Sequence, residues 1–196
     1  MRKLWLVPAV LAVLGLGVEL VAPQIAEGQI ESRAQERSAD FAAVDADIDS
    51  FPMVTRLLLT GKVNRLTITL TEVVRQRLTF AEVSFTLTGI GLDRTKLIAG
   101  DVEVTDIDAG EVRAELRSDA IAAVLGVADR IGLREVGTEV VGGTLRLRRA
   151  GRTIVEVALG ADLFPCEPAV ETTDKTIVLS CTFTEVPDII LRTANR

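Results

Sequence analysis

Leu66-Thr-Ile-Thr-Leu70 and Val83-Ser-Phe-Thr-Leu87 alternate apolar and hydroxyl-bearing residues without a break. A period of two puts Leu66, Ile68 and Leu70 on one face of a strand and Thr67 and Thr69 on the other. Val83, Phe85 and Leu87 face away from Ser84 and Thr86 in the same way. Threonine is a good strand former that tolerates water, so each stretch reads as a strand with one covered and one wet face. The two predicted strands are Val63–Thr71 and Leu78–Thr88, and they set the fold as a sheet rather than a bundle.

Upstream, Val44-Asp-Ala-Asp-Ile-Asp49 alternates with the same period and predicts a first strand. Between it and the Leu66 strand, Ser50 through Gly61 has a helix cap at Ser50, Pro52 for the first turn and Gly61 for the stop. Downstream, a Gly-containing loop is expected over Gly89 to Gly100. It leads to two strands near Asp101–Ile107 and Glu111–Leu116, with Val102, Val104, Val112, Ala114 and Leu116 inward. Ser118 or Asp119 caps a second helix running to about Ile131, with Ile121, Leu125 and Ala128 on its face. Thr144–Arg149 and Arg152–Leu159 form a hairpin about Ala150-Gly151, and Ile177–Thr184 is the last strand. The sum is seven to nine antiparallel strands with two short helices. That is an α+β domain with a long curved antiparallel sheet wrapped around one or two helices.

Composition sets the boundaries of function. The 196 residues are 48% hydrophobic but include no His, no Tyr, one Trp and two Cys. The net charge is −6, which argues against nucleic acid as a partner, since that needs a basic footprint. At the N-terminus, Arg2 and Lys3 precede an uncharged run from Leu4 to Val18. As a helix this run is about 22 Å long, short of a full span. Residues 1–22 therefore read as a cleaved signal peptide or a short membrane anchor, and either places the rest outside the cytoplasm. Residues 23–43 form a polar helix or stalk, and 44–196 the globular domain. Cys166 and Cys181 are expected as a disulfide closing a loop of about 15 residues, the alternative being two buried thiols.

Reactive chemistry is sparse. Asp45, Asp47 and Asp49 share a strand face, but Ser50 and Arg56 stand where a calcium loop needs Gly and Glu, so a solvated strand edge is the better reading. Gly89-Ile-Gly91 begins like a phosphate loop, yet Arg94 stands where a third Gly belongs. Ser84, Ser118 and Ser180 have no His to activate them. Paired carboxylates remain the one catalytic option. No metal or cofactor is implied, and the chain reads as a non-enzyme.

From Ser50 to Leu116 the sequence resembles the LmeA-like family of actinobacterial cell-envelope phospholipid-binding proteins. The resemblance rests on Ser50-Phe51-Pro52, the Leu57-Leu58-Leu59 helix with Gly61, the Leu66–Thr71 strand and the stretch from Leu78 to Ile90. Leu97-Ile-Ala-Gly100 and the strand Ala109–Leu116 follow in the expected order. Ser50 stands where the family tends to have Gly, and Met53 where it tends to have an aromatic residue. The resemblance implies an exported protein at the outer face of the cytoplasmic membrane. It further implies a tubular-lipid-binding-like sheet, phospholipid in a hydrophobic groove, and support for envelope glycolipid or lipoglycan assembly or lipid transfer. The expected lining is Phe51, Met53, Leu57, Leu58, Leu66, Ile68, Val83, Phe85 and Leu87. A non-catalytic envelope scaffold that holds a protein partner, with no groove, is the alternative.

Overall fold

Strand alternation propagates much further than the two decisive stretches. In the computed structural model, residues 24–28, 31–32, 41–99, 103–125, 136–160 and 163–184 are described. Among them are nine strands. β1 (Ala43–Asp49), β2 (Lys62–Arg75), β3 (Leu78–Leu92), β4 (Val104–Arg117), β8 (Ala169–Thr172) and β9 (Thr176–Phe183) form a six-stranded sheet in the order β1-β2-β3-β4-β9-β8. β5 (Val136–Val141), β6 (Thr144–Arg149) and β7 (Arg152–Ala158) form a separate sheet. Every pairing is antiparallel. Three helices join them: α1 (Met53–Thr60), α2 (Arg94–Ile98) and α3 (Ser118–Leu125). The large sheet is wrapped but unclosed, with β1 and β8 as its edges.

The expected α+β architecture on antiparallel strands is present, but helices alone do not fill the wrap. The three-stranded sheet lies in sequence between β4 and β9, which are neighbours in the large sheet. Its Val136, Leu145, Leu147, Val155 and Val157 join Leu78, Phe80, Val83, Val112, Leu116, Ile177 and Leu179 of the large sheet, with Ile121 of α3, in one core cluster. A second, smaller cluster sits at the other end of the long strands. It consists of Val63, Ile90 and Ile107, with Ile48, Leu57, Leu66, Leu87, Leu92 and Val104 packed against it.

One apolar face can run the whole length of these strands only because their alternation changes phase. Val63 and Leu66 on β2 are out of step, as are Leu87 and Ile90 on β3, yet all four meet in the small cluster. The shift falls at Gly89, whose φ of 63° an ordinary side chain rarely adopts. Toward the large cluster, Leu70 and Val73 are likewise out of step, and Glu72 has a φ of 54°. The paired register of β2 and β3 holds straight through both points.

Several sequence expectations change here. The loop expected from Gly89 to Gly100 is, as far as Ile98, strand and helix. Gly89 to Leu92 completes β3, and Asp93 then caps the short α2 by accepting from the amides of Thr95 and Lys96. The two strands expected at Asp101–Ile107 and Glu111–Leu116 are one, because Ala109-Gly110 is paired within β4 and makes no turn. Gly110 lies opposite Phe183, and a Cβ there would collide with the Phe183 ring. Its glycine reads as a space for an aromatic side chain, not as a chain reversal. Ser50 does not cap α1. Pro52 occupies the cap position without a side-chain bond, while Ser50 is buried and accepts the Asn64 amide at 3.2 Å. Gly61 ends α1 as expected, in the left-handed conformation with its amide on the Leu57 carbonyl.

The hairpin about Ala150-Gly151 is present, and a second one about Gly142-Gly143 adds β5, which the sequence reading missed. Both of those glycines have positive φ, the conformation two-residue hairpin turns require. The second helix is observed as Ser118–Leu125, with Ile121 buried. Val102 and Ala128 lie outside the described residues, as do residues 1–22.

The expected disulfide joins Cys166 to Cys181. Cys181 lies on β9 opposite Val112, and Cys166 follows the three-stranded sheet, so the bond ties the return from that sheet to the middle of the large one. Replacing both cysteines by serine is expected to lower unfolding free energy by about 3 kcal/mol, the chain-entropy value for such a loop, in a urea titration. Gly110→Ala, which drives a methyl group into Phe183, is expected to cost about 1–3 kcal/mol by the same measurement.

Candidate functional site

Register converts the alternating residues into rows. Ile48 lies opposite Leu66, which lies opposite Leu87; Ala46, Ile68, Phe85 and Val112 form the next row; Val44, Leu70, Val83 and Ala114 the third. All point to the apolar face. Asp45, Thr69, Ser84 and Arg113 form a row on the opposite, wet face.

Burial along the apolar face is uneven. At one end Leu78, Phe80 and Val83 are fully buried under the three-stranded sheet and α3. At the other, Val63 and Ile90 are buried near α1. Between them Leu66, Ile68, Leu70, Phe85 and Leu87 are only half-buried. Leu66 leans on the small cluster, Leu70 and Phe85 on the large one, and Leu87 touches both. The result is an apolar band about 13 Å long on β2 and β3, by strand rise, covered at each end and partly open in the middle.

The sequence-predicted lining divides accordingly. Leu66, Ile68, Phe85 and Leu87 form the open band. Val83 lies beneath it in the large core. Leu57 packs from α1 onto the small cluster. Phe51 and Leu58 are 65% and 53% exposed, outside any cluster, and Leu59 beside them is 71% exposed. Met53 opens α1, and its side chain lies outside the described residues. Sequence reading missed Leu70 as a lining residue, although it sits in the same alternating run.

The polar face carries an ion cluster. Lys62 Nζ lies 3.3 Å from Asp106 and 3.0 Å from Asp108. The Gly89-Ile-Gly91 stretch makes room for it, because a Cβ at Gly89 would strike the Asp108 carboxylate and one at Gly91 that of Asp106. These glycines serve an ion pair in a strand and do not form a phosphate loop. Hydrogen bonds to Asp108 and Asp106 raise the Lys62 pKa. The Thr105 hydroxyl, and then Lys62, hold that of Asp106 down. Nearby, Lys96 pairs with Glu103.

Asp45, Asp47 and Asp49 are exposed on the edge strand β1. That edge also has a partner that sequence reading did not foresee. Residues 24–28 and 31–32 are helical, and Glu31 and Glu27 accept the amides of Ala46 (3.1 Å) and Ile48 (2.9 Å). Two carboxylates four residues apart in sequence thus occupy ladder donors that the unpaired edge would otherwise present to another chain. At the opposite end of β2 and β3 from α1, a cavity of about 380 Å³ opens among Arg77, Thr79, Ala120, Ala123 and Val124. No described group of His, Cys, Asp or Glu is arranged to hold a metal.

The described residues thus form a long unclosed sheet with a partly open apolar band. The sequence model of a family described as LmeA-like phospholipid-binding matches residues 17–188, most of the chain. The chain belongs to the LmeA-like phospholipid-binding family. No curated protein and no solved structure gives a significant match. The description of the LmeA-like family is one of binding, and it names no catalytic activity. The disulfide fits an oxidising compartment, as exported proteins meet. No helix among the described residues is long and apolar enough to cross a membrane.

The ion cluster gives a pH test. The lowered Asp106 pKa contributes stability above the ordinary carboxylate range, and this is lost as pH falls through the depressed value. The raised Lys62 pKa contributes below the ordinary lysine range and is lost as pH rises through the elevated value. Both groups are well exposed, so the effect on stability is small and salt-sensitive. In Lys62→Met, the Asp106 carboxyl is expected to titrate at higher pH than in the parent, by carbon-detected NMR.

Proposed function

We propose that this protein holds the acyl chains of one phospholipid against the band formed by Leu66, Ile68, Leu70, Phe85 and Leu87. The observation that carries this reading is the half-burial of a contiguous apolar row between two closed clusters. A sheet that served only as a scaffold would cover that row, because apolar area left in water forgoes about 25 cal/mol per Å². An acyl chain laid there recovers that term for both surfaces, with the headgroup at the rim in water. Val83 forms the floor, and Leu57 closes the band at the α1 end.

In this reading residues 1–22 export or anchor the chain, residues 23–43 connect it, and residues 44–196 are the lipid-binding domain. The protein works in the cell envelope at the outer face of the cytoplasmic membrane. It is non-catalytic there, and carries or presents phospholipid in support of envelope glycolipid or lipoglycan assembly. The LmeA-like membership, the uncharged N-terminal run after Arg2 and Lys3, and the disulfide all support it.

Ile68 gives the cleanest test, since it belongs to neither core cluster. Mass spectrometry of organic extracts from the purified protein is expected to find about one phospholipid per chain. Ile68→Glu is expected to reduce this at least tenfold, roughly the effect of setting a charge against a single acyl chain, while leaving the urea midpoint near that of the parent. A folded parent protein that carries no phospholipid and takes up none from vesicles would favour the scaffold reading.

A further inference from the structure

Helix α1 is apolar on the wrong side. Met53, Val54, Leu57, Leu58 and Leu59 make up five of its eight residues. Leu57 turns to the small cluster, and at 100° per residue Leu59 then points nearly opposite, away from the sheet. With Leu58 and Phe51 it forms an exposed patch at one end of the molecule. A surface helix of a water-soluble domain carries polar residues there, and an apolar stripe on both sides signals a second apolar medium.

Two observations identify that medium. The first is charge. Residues 50–71 hold Arg56, Lys62 and Arg65 and no Asp or Glu, in a chain whose net charge is −6. Lys62 is engaged by Asp106 and Asp108, but Arg56 and Arg65 are exposed, as is Arg94, whose side chain lies against Gly61 at the end of α1. The end as a whole is not basic, since Asp49 lies opposite Arg65, Asp93 caps α2 and two aspartates face Lys62; it is Arg56 and Arg94, beside the apolar patch itself, that suit phosphate-bearing headgroups.

The second is chain direction. The N-terminal helical residues lie along β1 with Glu31 at Ala46 and Glu27 at Ile48. Going backward along the chain, the described residues therefore run toward Ser50, Phe51 and α1 as far as Gln24, and in sequence the uncharged run ends at Val18, six residues before Gln24. The described chain thus begins at the α1 end of the sheet, the end that carries the apolar helix.

We infer that α1, through Phe51, Leu58 and Leu59 flanked by Arg56 and Arg94, is the surface by which this protein docks on an anionic lipid bilayer. It holds the α1 end of the sheet at the membrane, so that a phospholipid can reach the open middle of the band past the closure that Leu57 makes. The transfer step rests on the phospholipid-binding reading above; the docking does not.

The test uses the full chain with Trp5→Phe, so that one introduced tryptophan reports alone. Leu59→Trp and Ile154→Trp place it on α1 and on β7 of the other sheet. Each variant is mixed with phosphatidylcholine–phosphatidylglycerol vesicles containing brominated acyl chains. Quenching at position 59 is expected to exceed that at 154 by at least about twofold, as insertion of an amphipathic surface into the interface requires. Equal quenching at the two positions overturns the inference. So does a dimer in sedimentation that Leu59→Glu dissociates while position 59 stays unquenched, because a second copy then occupies the patch.

In the same vesicles, Leu58→Glu with Leu59→Glu is expected to slow transfer of a fluorescent phospholipid by roughly tenfold or more. The unfolding transition should not move, since both side chains are exposed in the native state. Unchanged transfer by the folded double variant also counts against docking through α1. Quenching at position 59 in a protein that transfers no phospholipid upholds docking and sinks the groove reading instead.

Discussion

The large sheet is longer than what covers it. β2 and β3 run 14 and 15 residues with one apolar side, while among the described residues a three-stranded sheet, α3 and α1 lie over that side. The covering layers close a core at each end and leave the middle rows half-exposed. Because the sheet does not close into a barrel, nothing else in the described structure fills that gap. The band, and any ligand it takes, follow from this mismatch of lengths.

Keeping the whole length apolar on one side needs departures from strict alternation. Gly89 and Glu72 supply them at the two ends of the band. Gly89 and Gly91 also leave space on the other face for Asp108 and Asp106 to reach Lys62. The same short sequence therefore turns the apolar side chains in phase with the small cluster and lets two carboxylates meet a lysine. At the sheet edge, Glu27 and Glu31 take up backbone donors of β1, and the three exposed aspartates of that strand keep its wet face charged. An open sheet can remain open in solution when its edge is protected in this way.

Much of the architecture was legible in residue patterns. The strands around Leu66 and Val83, the Ala150-Gly151 hairpin, the Gly61 helix stop and the inward Cys181 each have a local cause, and each is found where the pattern places it. What misled was glycine. Gly89, Gly91 and Gly110 read as chain breaks, but each is a strand residue whose missing side chain makes room for a neighbour from a distant segment: Asp108, Asp106 and Phe183. Ser50 misled for the same reason, since its partner is the Asn64 amide rather than the helix that follows it. Conversely, Gly142-Gly143 was a turn signal that went unread.

Alternation and apolar content by themselves determined that this chain builds antiparallel sheet with one dry face, a local property set by the two-residue repeat of a strand. The two cysteines permitted a bridge, but the fold had to bring Cys166 and Cys181 to 6.0 Å between Cα atoms. Only tertiary structure decided which apolar residues are core and which are surface. Leu66, Ile68 and Phe85 carry the same signal in sequence as Val83. Their difference in burial arises because Val83 lies beneath strands that come more than fifty residues later in the chain, while the other three lie just beyond their reach.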